Sequence, residues 1–243
     1  MSRAWVRALL ASTLFLVATA CRGERPVGPQ VFDLTFPDGT RGQLSVPAGI
    51  DVTSGGIQAG TSGSVAGFGR DLLIIHGDRA DVASRLAPDL IEALPDGRGG
   101  TVEFRHGAEG TDYLVFEFSP WTVLVYDYPE PPARMTEVAR RTWASNLTAG
   151  IDSTSYPVFR AEEPLQLAAR GEHGGPWIMF AGVDVLITLT PTVCLPDGAG
   201  DVAGDQAASF CDPSGLHVSI QAVNGGSDLV ERLRAGMTAT VES

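Results

Sequence analysis

Short apolar segments separated by turn residues recur along the 243-residue chain, and they limit its fold more than any other feature. Residues 31–46 alternate between apolar and polar side chains on either side of a Pro-Asp-Gly turn, which predicts a β-hairpin. Residues 113–128 repeat the pattern across a Ser-Pro-Trp connection. Because so short a connection joins antiparallel neighbours, the sequence predicts a mainly antiparallel β-sheet.

Helical signals occur in three places. Asp78 or Asp81 is placed to cap a helix that continues over residues 82–93. Residues 136–147 have amphipathic spacing behind two prolines, and residues 228–234 predict a further short helix. Together with the strands, these segments predict an α+β fold, with about three helices on a mainly antiparallel sheet.

A basic start and a short apolar stretch precede Cys21. Arg3 and Arg7 lead into an uncharged stretch over residues 8–20, which is shorter than the roughly 20 residues of a spanning helix but fits a signal peptide. The run Leu-Phe-Leu-Val-Ala-Thr-Ala before Cys21 resembles the lipobox of bacterial lipoproteins. The resemblance implies removal of residues 1–20, a thioether-linked diacylglyceryl group on Cys21, and a location on the extracytoplasmic face of the cell membrane. An ordinary cleaved signal peptide is the alternative.

Charge narrows the classes of partner. All 17 basic residues are arginines, and 29 acidic residues give a net charge of −12. Such a charge opposes binding to nucleic-acid phosphates and to anionic lipid headgroups. We therefore expect no nucleic-acid partner, contact with the membrane through the lipid anchor, and an envelope protein, peptide or glycan as the further partner.

The chain is expected to contain two units. Residues 21–30 carry the lipidated cysteine and a Pro/Gly-rich linker, residues 31–150 form one α+β unit, and residues 151–243 form a second. The segment that begins at Leu72 resembles the one that begins at His217, which suggests two similar halves. A chance recurrence of strand, helix and strand is the other interpretation.

Two cysteines remain beyond Cys21 in the exported portion. Cys194 and Cys211 therefore predict one disulfide. The bond would close a loop of about 17 residues, which the chain-entropy model values at roughly 3 kcal/mol.

His76-Gly77 follows a continuous apolar run, residues 71–75, that predicts a buried strand. The pair resembles the His-Gly that follows an early strand in α/β-hydrolases and shapes their oxyanion site. That family also needs a G-x-S-x-G nucleophile elbow, and neither Ser62 nor Ser64 has this spacing. The sequence favours a strand-to-helix turn at Gly77, and catalysis by His76 with an unrecognised nucleophile is the alternative.

Other side chains offer few sites. His106, His173 and His217 lie far apart without metal-ligand spacing, so we expect no metal or cofactor. Trp121 falls at the predicted tip of the second hairpin, where an indole either stacks on a sugar or peptide or folds back onto the core. The sequence thus predicts a lipid-anchored envelope lipoprotein, a non-enzymatic binding, scaffolding or accessory module with Trp121 as the candidate ligand contact. An envelope hydrolase using His76 is the alternative.

Overall fold

The computed structural model describes most of the chain beyond residue 25. Its described residues are 26–60, 71–97, 99–107, 110–126, 134–170, 175–192, 202–203, 207–212, 214–224 and 226–242. The predicted signal peptide, Cys21, Ser62, Ser64, His173 and Cys194 lie outside them.

Strands dominate the described chain, and three helices accompany them. The helices are α1 (Arg79–Leu86), α2 (Glu137–Asn146) and α3 (Ser227–Gly236). The strands are β1 (Gln30–Thr35), β2 (Arg41–Val46), β3 (Thr53–Gly60), β4 (Asp71–His76), β5 (Asp89–Pro95), β6 (Thr101–His106), β7 (Asp112–Phe118), β8 (Trp121–Tyr126), β9 (Leu147–Ile151), β10 (Pro157–Ala161), β11 (Trp177–Ala181), β12 (Val185–Pro191), β13 (Val202–Ala203), β14 (Ala207–Asp212), β15 (Leu216–Ala222) and β16 (Thr238–Val241).

Eleven strands form one antiparallel sheet in the order β13-β14-β15-β12-β11-β3-β4-β8-β7-β6-β5. A second sheet has the order β1-β2-β16, and β9 and β10 form a separate hairpin. The predicted class, α+β and mainly antiparallel, is confirmed. Among the described residues, no helix combines the length and the hydropathy that crossing a bilayer requires.

Strands from both sides of residue 150 meet in the large sheet, because β3 pairs with β11. Outward from this pair the strand order is alike on the two sides: β3, β4, β8, β7, β6 and β11, β12, β15, β14, β13. This order matches β4 with β12, whereas the similar segments at Leu72 and His217 lie in β4 and β15. The two similar sequence segments therefore do not lie in strands that correspond in the topology. The division into two units stays a prediction.

The prediction of one helix over residues 82–93 is wrong beyond Leu86. The Ala87 N–H still donates to Ala83 O at 2.8 Å. Pro88 then ends the helix, because proline has no N–H to donate and its ring clashes with the preceding helical turn. Residues 89–95 form β5 at the edge of the sheet instead.

Both faces of the sheet are buried at β4, which explains its unbroken apolar run. Leu72 and Ile74 face the main core, to which α2 contributes Trp143. Leu73 and Ile75 face the other way, into a smaller core covered by α1. Alternate residues of one strand thus serve two cores.

Candidate functional site

A groove opens along one row of strand ends in the large sheet. It consists of two cavities of about 360 and 240 Å³ that share Glu117 and Ser119. The larger cavity extends over the β5–β6 turn to Ser145 at the end of α2, and the smaller one extends to His76. Its combined size lies within the range of ordinary ligand pockets.

The strand-to-helix turn predicted at Gly77 is confirmed, and it places His76 at the groove. Gly77 has φ +151°, a conformation that strains other residues. Its N–H donates to Pro120 O at 2.9 Å, and its carbonyl accepts from Thr122 Oγ1 at 2.9 Å. Asp78 then caps α1 by accepting from the Ala80 N–H at 2.7 Å. The end of β4 is therefore held against the β7–β8 turn.

His76 is exposed and makes one ring contact. Its imidazole lies edge-on to Trp121, with the ring centroids 5.0 Å apart. Within the described part of the chain, no hydrogen bond or ion pair joins the His76 side chain to a carboxylate or hydroxyl. Ser119 and Glu117 line the same cavity. Ser62 and Ser64, the other candidate partners, lie outside the described residues.

Arg79 crosses from α1 to the strand ends and organises the polar wall of the groove. Its Nη1 donates to Thr101 O at 3.0 Å, and its Nε lies 3.5 Å from both Glu103 Oε1 and Glu117 Oε2. Glu103 also accepts from Arg105 Nε at 2.6 Å. Glu103 and Arg105 line neither cavity, whereas Asp78, Asp96 and Glu117 line the groove together with Arg79. The charged lining of the groove is therefore one arginine and three carboxylates, a net acidic surface that offers both donors and acceptors.

Two phenylalanines also line the larger cavity. Phe116 and Phe118 stack with their ring planes 9° apart, and Phe118 meets Phe159 nearly at right angles. Because Phe116 is 2 % exposed, the partly exposed Phe118 provides most of the aromatic surface that a ligand can reach. The exposed Ser119 and Ser145 stand at the rim. An apolar wall beside a few convergent polar groups is the usual composition of a binding site for a small or extended ligand.

Trp121 begins β8, and Ser119-Pro120 forms the hairpin tip in its place, so the tip position predicted for it is wrong. Its side chain is 4 % exposed, its Nε1 donates to Ser155 O at 2.8 Å, and its ring lies 5.7 Å from Tyr156. The alternative in which the indole folds back onto the core is therefore confirmed, although its partners, Ser155 and Tyr156, are brought to it only by the fold. A contact between Trp121 and a ligand stays a prediction.

Two shifted pKa values occur on the β9–β10 hairpin that contacts Trp121. Burial raises the pKa of Asp152, but hydrogen bonds from the Thr154 and Thr35 hydroxyls and from two backbone N–H groups outweigh burial, so the pKa lies below its usual value. Burial raises the pKa of Tyr156, the Ser54 hydroxyl lowers it, and the Asp152 charge raises it further. Asp152 thereby ties this hairpin to Thr35 of β1.

The remaining sequence-predicted sites lie apart from the groove. His106 Nδ1 lies 2.7 Å from the buried Asp112, which also accepts from the Met135 N–H at 2.8 Å. Across the described ranges, no three His, Cys, Asp or Glu side chains are grouped to hold a metal ion. Cys211 lies in β14 opposite His217. Because Cys194 falls outside the described residues, the disulfide stays a prediction.

Comparisons with known proteins identify no relative: no protein-family model matches the chain, and no curated protein or solved structure is significantly similar to it. Of the groove residues, sequence reasoning singled out His76 but missed Arg79, Glu117 and Ser145. One signal was present, since Glu117 interrupts an otherwise apolar strand. The others come together only through long-range strand pairing.

Proposed function

We propose that the protein is a lipid-anchored lipoprotein on the extracytoplasmic face of the cell membrane, and that it binds a polar envelope ligand, a glycan or peptide segment, in the groove between His76 and Ser145. The observation that carries this proposal is that Arg79 and the carboxylates of Asp78, Asp96 and Glu117 line the same groove as the partly exposed ring of Phe118. Sugars and peptides present both apolar faces and hydrogen-bonding groups, which such a groove complements.

Binding without chemistry is favoured over catalysis because of the surroundings of His76. A general base needs hydrogen-bond reach to the proton it removes and a group that orients its ring. The described contacts of His76 supply a tryptophan edge in place of an orienting acid. A hydrolase is the second candidate, because His76, Ser119 and Glu117 line one cavity.

Ligand binding at the groove is tested by comparing two glutamates. Glycan and peptide fragments of the envelope are screened against the mature protein by ligand-observed NMR, and each hit is measured on Glu117→Gln and Glu92→Gln. Each glutamate pairs with an arginine, and the side chains of Glu117 and Glu92 are similarly exposed, at 43 % and 40 %. Glu92, however, lies outside the groove. We expect hits to weaken at least about tenfold with Glu117→Gln and less than about twofold with Glu92→Gln. Hits that respond equally to both variants, or to neither, would place the ligand elsewhere.

The hydrolase alternative is tested by complementing a deletion strain with His76→Ala and Ser119→Ala while protein abundance is monitored. The binding proposal expects the unsubstituted protein to leave every ligand that it binds uncleaved, and it expects each variant to lose function only as far as its affinity for that ligand falls. Cleavage of a bound ligand by the unsubstituted protein, with complete loss of function in both variants at normal abundance and unchanged affinity, would promote the hydrolase, because residues of a catalytic unit fail together.

The anchor is tested by Cys21→Ala. This change is expected to release the protein into the medium or to leave its precursor uncleaved. Unchanged membrane association, with no lipid found by mass spectrometry on the unsubstituted protein, would contradict the anchor.

A further inference from the structure

Three strongly exposed valines gather at one end of the molecule. Val27, Val183 and Val223 have side chains that are 100 %, 59 % and 44 % exposed. Val27 precedes β1, Val183 lies in the β11–β12 turn, and Val223 follows β15. We call the surface that they form the valine end.

Backbone contacts bring these three segments together. The Gly49 N–H donates to Pro26 O at 3.0 Å, which fixes the segment that contains Val27 beside the segment before β3. A Cβ on Gly182 would overlap Asp51 O, so the β11–β12 turn lies directly on that same segment. Asn224 Nδ2 in turn donates to Val183 O at 2.6 Å, and the Val223 N–H donates to Asp184 O at 2.8 Å.

Neither the core nor the turns require valine at these positions. The neighbouring Ile50 and Val185 are 5 % and 1 % exposed and already fill the core here. Turn tips favour Gly, Asn, Asp, Pro and Ser, and a β-branched side chain gains nothing in solvent. Single exposed apolar residues are ordinary, whereas three on neighbouring segments give this end of the molecule an apolar contact surface.

The length of chain between this end and Cys21 indicates what covers it. Cys21 lies five residues before Pro26. Five residues span at most about 18 Å. A lipid on Cys21 would therefore hold the valine end beside the bilayer. The His76 end of the groove opens on the same row of strand ends, at β4, two strands away from β11.

We infer that the valine end rests on the lipid bilayer, with Val183 and Val223 in its interfacial region; this inference depends on the proposed anchor. The exposed Asp51 beside the valines opposes anionic headgroups, so a zwitterionic surface fits this end best. A few valines bind a membrane weakly without a tether, so the contact depends on the lipid.

The test uses the full lipidated protein on phosphatidylcholine vesicles whose acyl chains carry bromine, which quenches nearby tryptophan. Val183→Trp and Val223→Trp are compared with Val138→Trp, a matched control that is 65 % exposed on α2. Flotation first establishes membrane association. We expect the added tryptophan to be quenched at least about twofold more at positions 183 and 223 than at position 138.

Each outcome decides a different point. Flotation with equal quenching at the three positions overturns the bilayer contact and leaves the anchor intact. Absence of flotation overturns the anchor and the contact together. Hydrogen exchange of the unsubstituted protein provides a measurement without substitutions: on vesicles, residues 182–184 and 223–224 should gain protection relative to the unlipidated protein, and residues 137–141 should not.

Discussion

At the scale of the residue, the indole of Trp121 joins the large sheet to the β9–β10 hairpin. Trp121→Ala should lower the free energy of unfolding by about 3–5 kcal/mol, because it opens a cavity in the core. Trp121→Phe should cost about 1–2 kcal/mol, because it orphans the Ser155 carbonyl that accepts from Nε1. Urea denaturation measures both. Trp177→Phe, at a less buried tryptophan, is the control and should cost less than Trp121→Phe. Equal costs would mean that the Ser155 bond contributes nothing.

Asp152 makes one part of the stability depend on pH. Its pKa lies below the usual 3.8, because hydrogen bonds to its carboxylate outweigh burial. The folded state therefore binds this proton less tightly than the unfolded state, so the stabilisation is complete above about pH 4 and is lost as the pH falls through the folded pKa. Thr35→Val removes one of those hydrogen bonds and should cost about 1 kcal/mol at pH 7, and less at pH 3.

Thr148→Val is the control for that experiment. The Thr148 hydroxyl is also buried but donates to Arg160 O, a carbonyl that does not titrate. Its cost in urea denaturation should be the same at pH 7 and pH 3. A Thr35→Val cost that is also unchanged between these pH values would show that Asp152 is not the group that titrates.

At the scale of the element, α1 begins at Asp78, which accepts from the Ala80 N–H. Asp78→Ala should lower the free energy of unfolding by about 1 kcal/mol. Asp81→Ala removes an equally acidic residue from the first turn and should cost only a few tenths of a kcal/mol, through the helix dipole alone. Thermal unfolding of the two variants distinguishes a cap from a general charge effect, and similar losses would contradict the assignment of the cap.

Sequence reasoning succeeded where an element depends on its immediate neighbours. The β1–β2 and β7–β8 hairpins follow from short turns, and α2 begins after the Thr136 cap as its pattern indicates. Sequence reasoning failed at β5. Apolar residues at 82, 86, 90 and 94 follow a helical spacing by coincidence, whereas pairing with β6 determines that residues 89–95 form a strand. The same reasoning also missed β14, whose sequence Ala-Ala-Ser-Phe-Cys-Asp falls at the end of the predicted disulfide loop and becomes a strand through pairing with β15.

At the scale of the whole molecule, pairing of β3 with β11 makes one sheet from both parts of the chain. One core cluster likewise joins Leu34 near the start to Leu233 near the end. We therefore expect calorimetry to show a single unfolding transition, with equal calorimetric and van't Hoff enthalpies. Two resolved transitions would instead support independent units that divide near residue 150.

The groove shows why a site of this kind is hard to predict from one sequence. Arg79, Glu117 and Ser145 belong to the start of α1, the end of β7 and the end of α2, and no local pattern links them. Only the order of strands in the sheet and the placement of α1 and α2 bring them within reach of one ligand. His76 was found because it directly follows an apolar strand, and its neighbours in sequence carried that information.

The last strand of the chain pairs with one of the first. Thr238–Val241 runs beside β2, with Ala239 opposite Leu44, and so completes the sheet that the opening hairpin begins. A chain that leaves the ribosome or crosses a membrane from its N-terminus onward cannot close this sheet until residue 241 has emerged. The β1–β2 hairpin would wait, with the β2 edge unpaired, until the last strand arrives. Closure of this sheet is therefore necessarily a late event in folding, completed only after nearly the whole chain has been made.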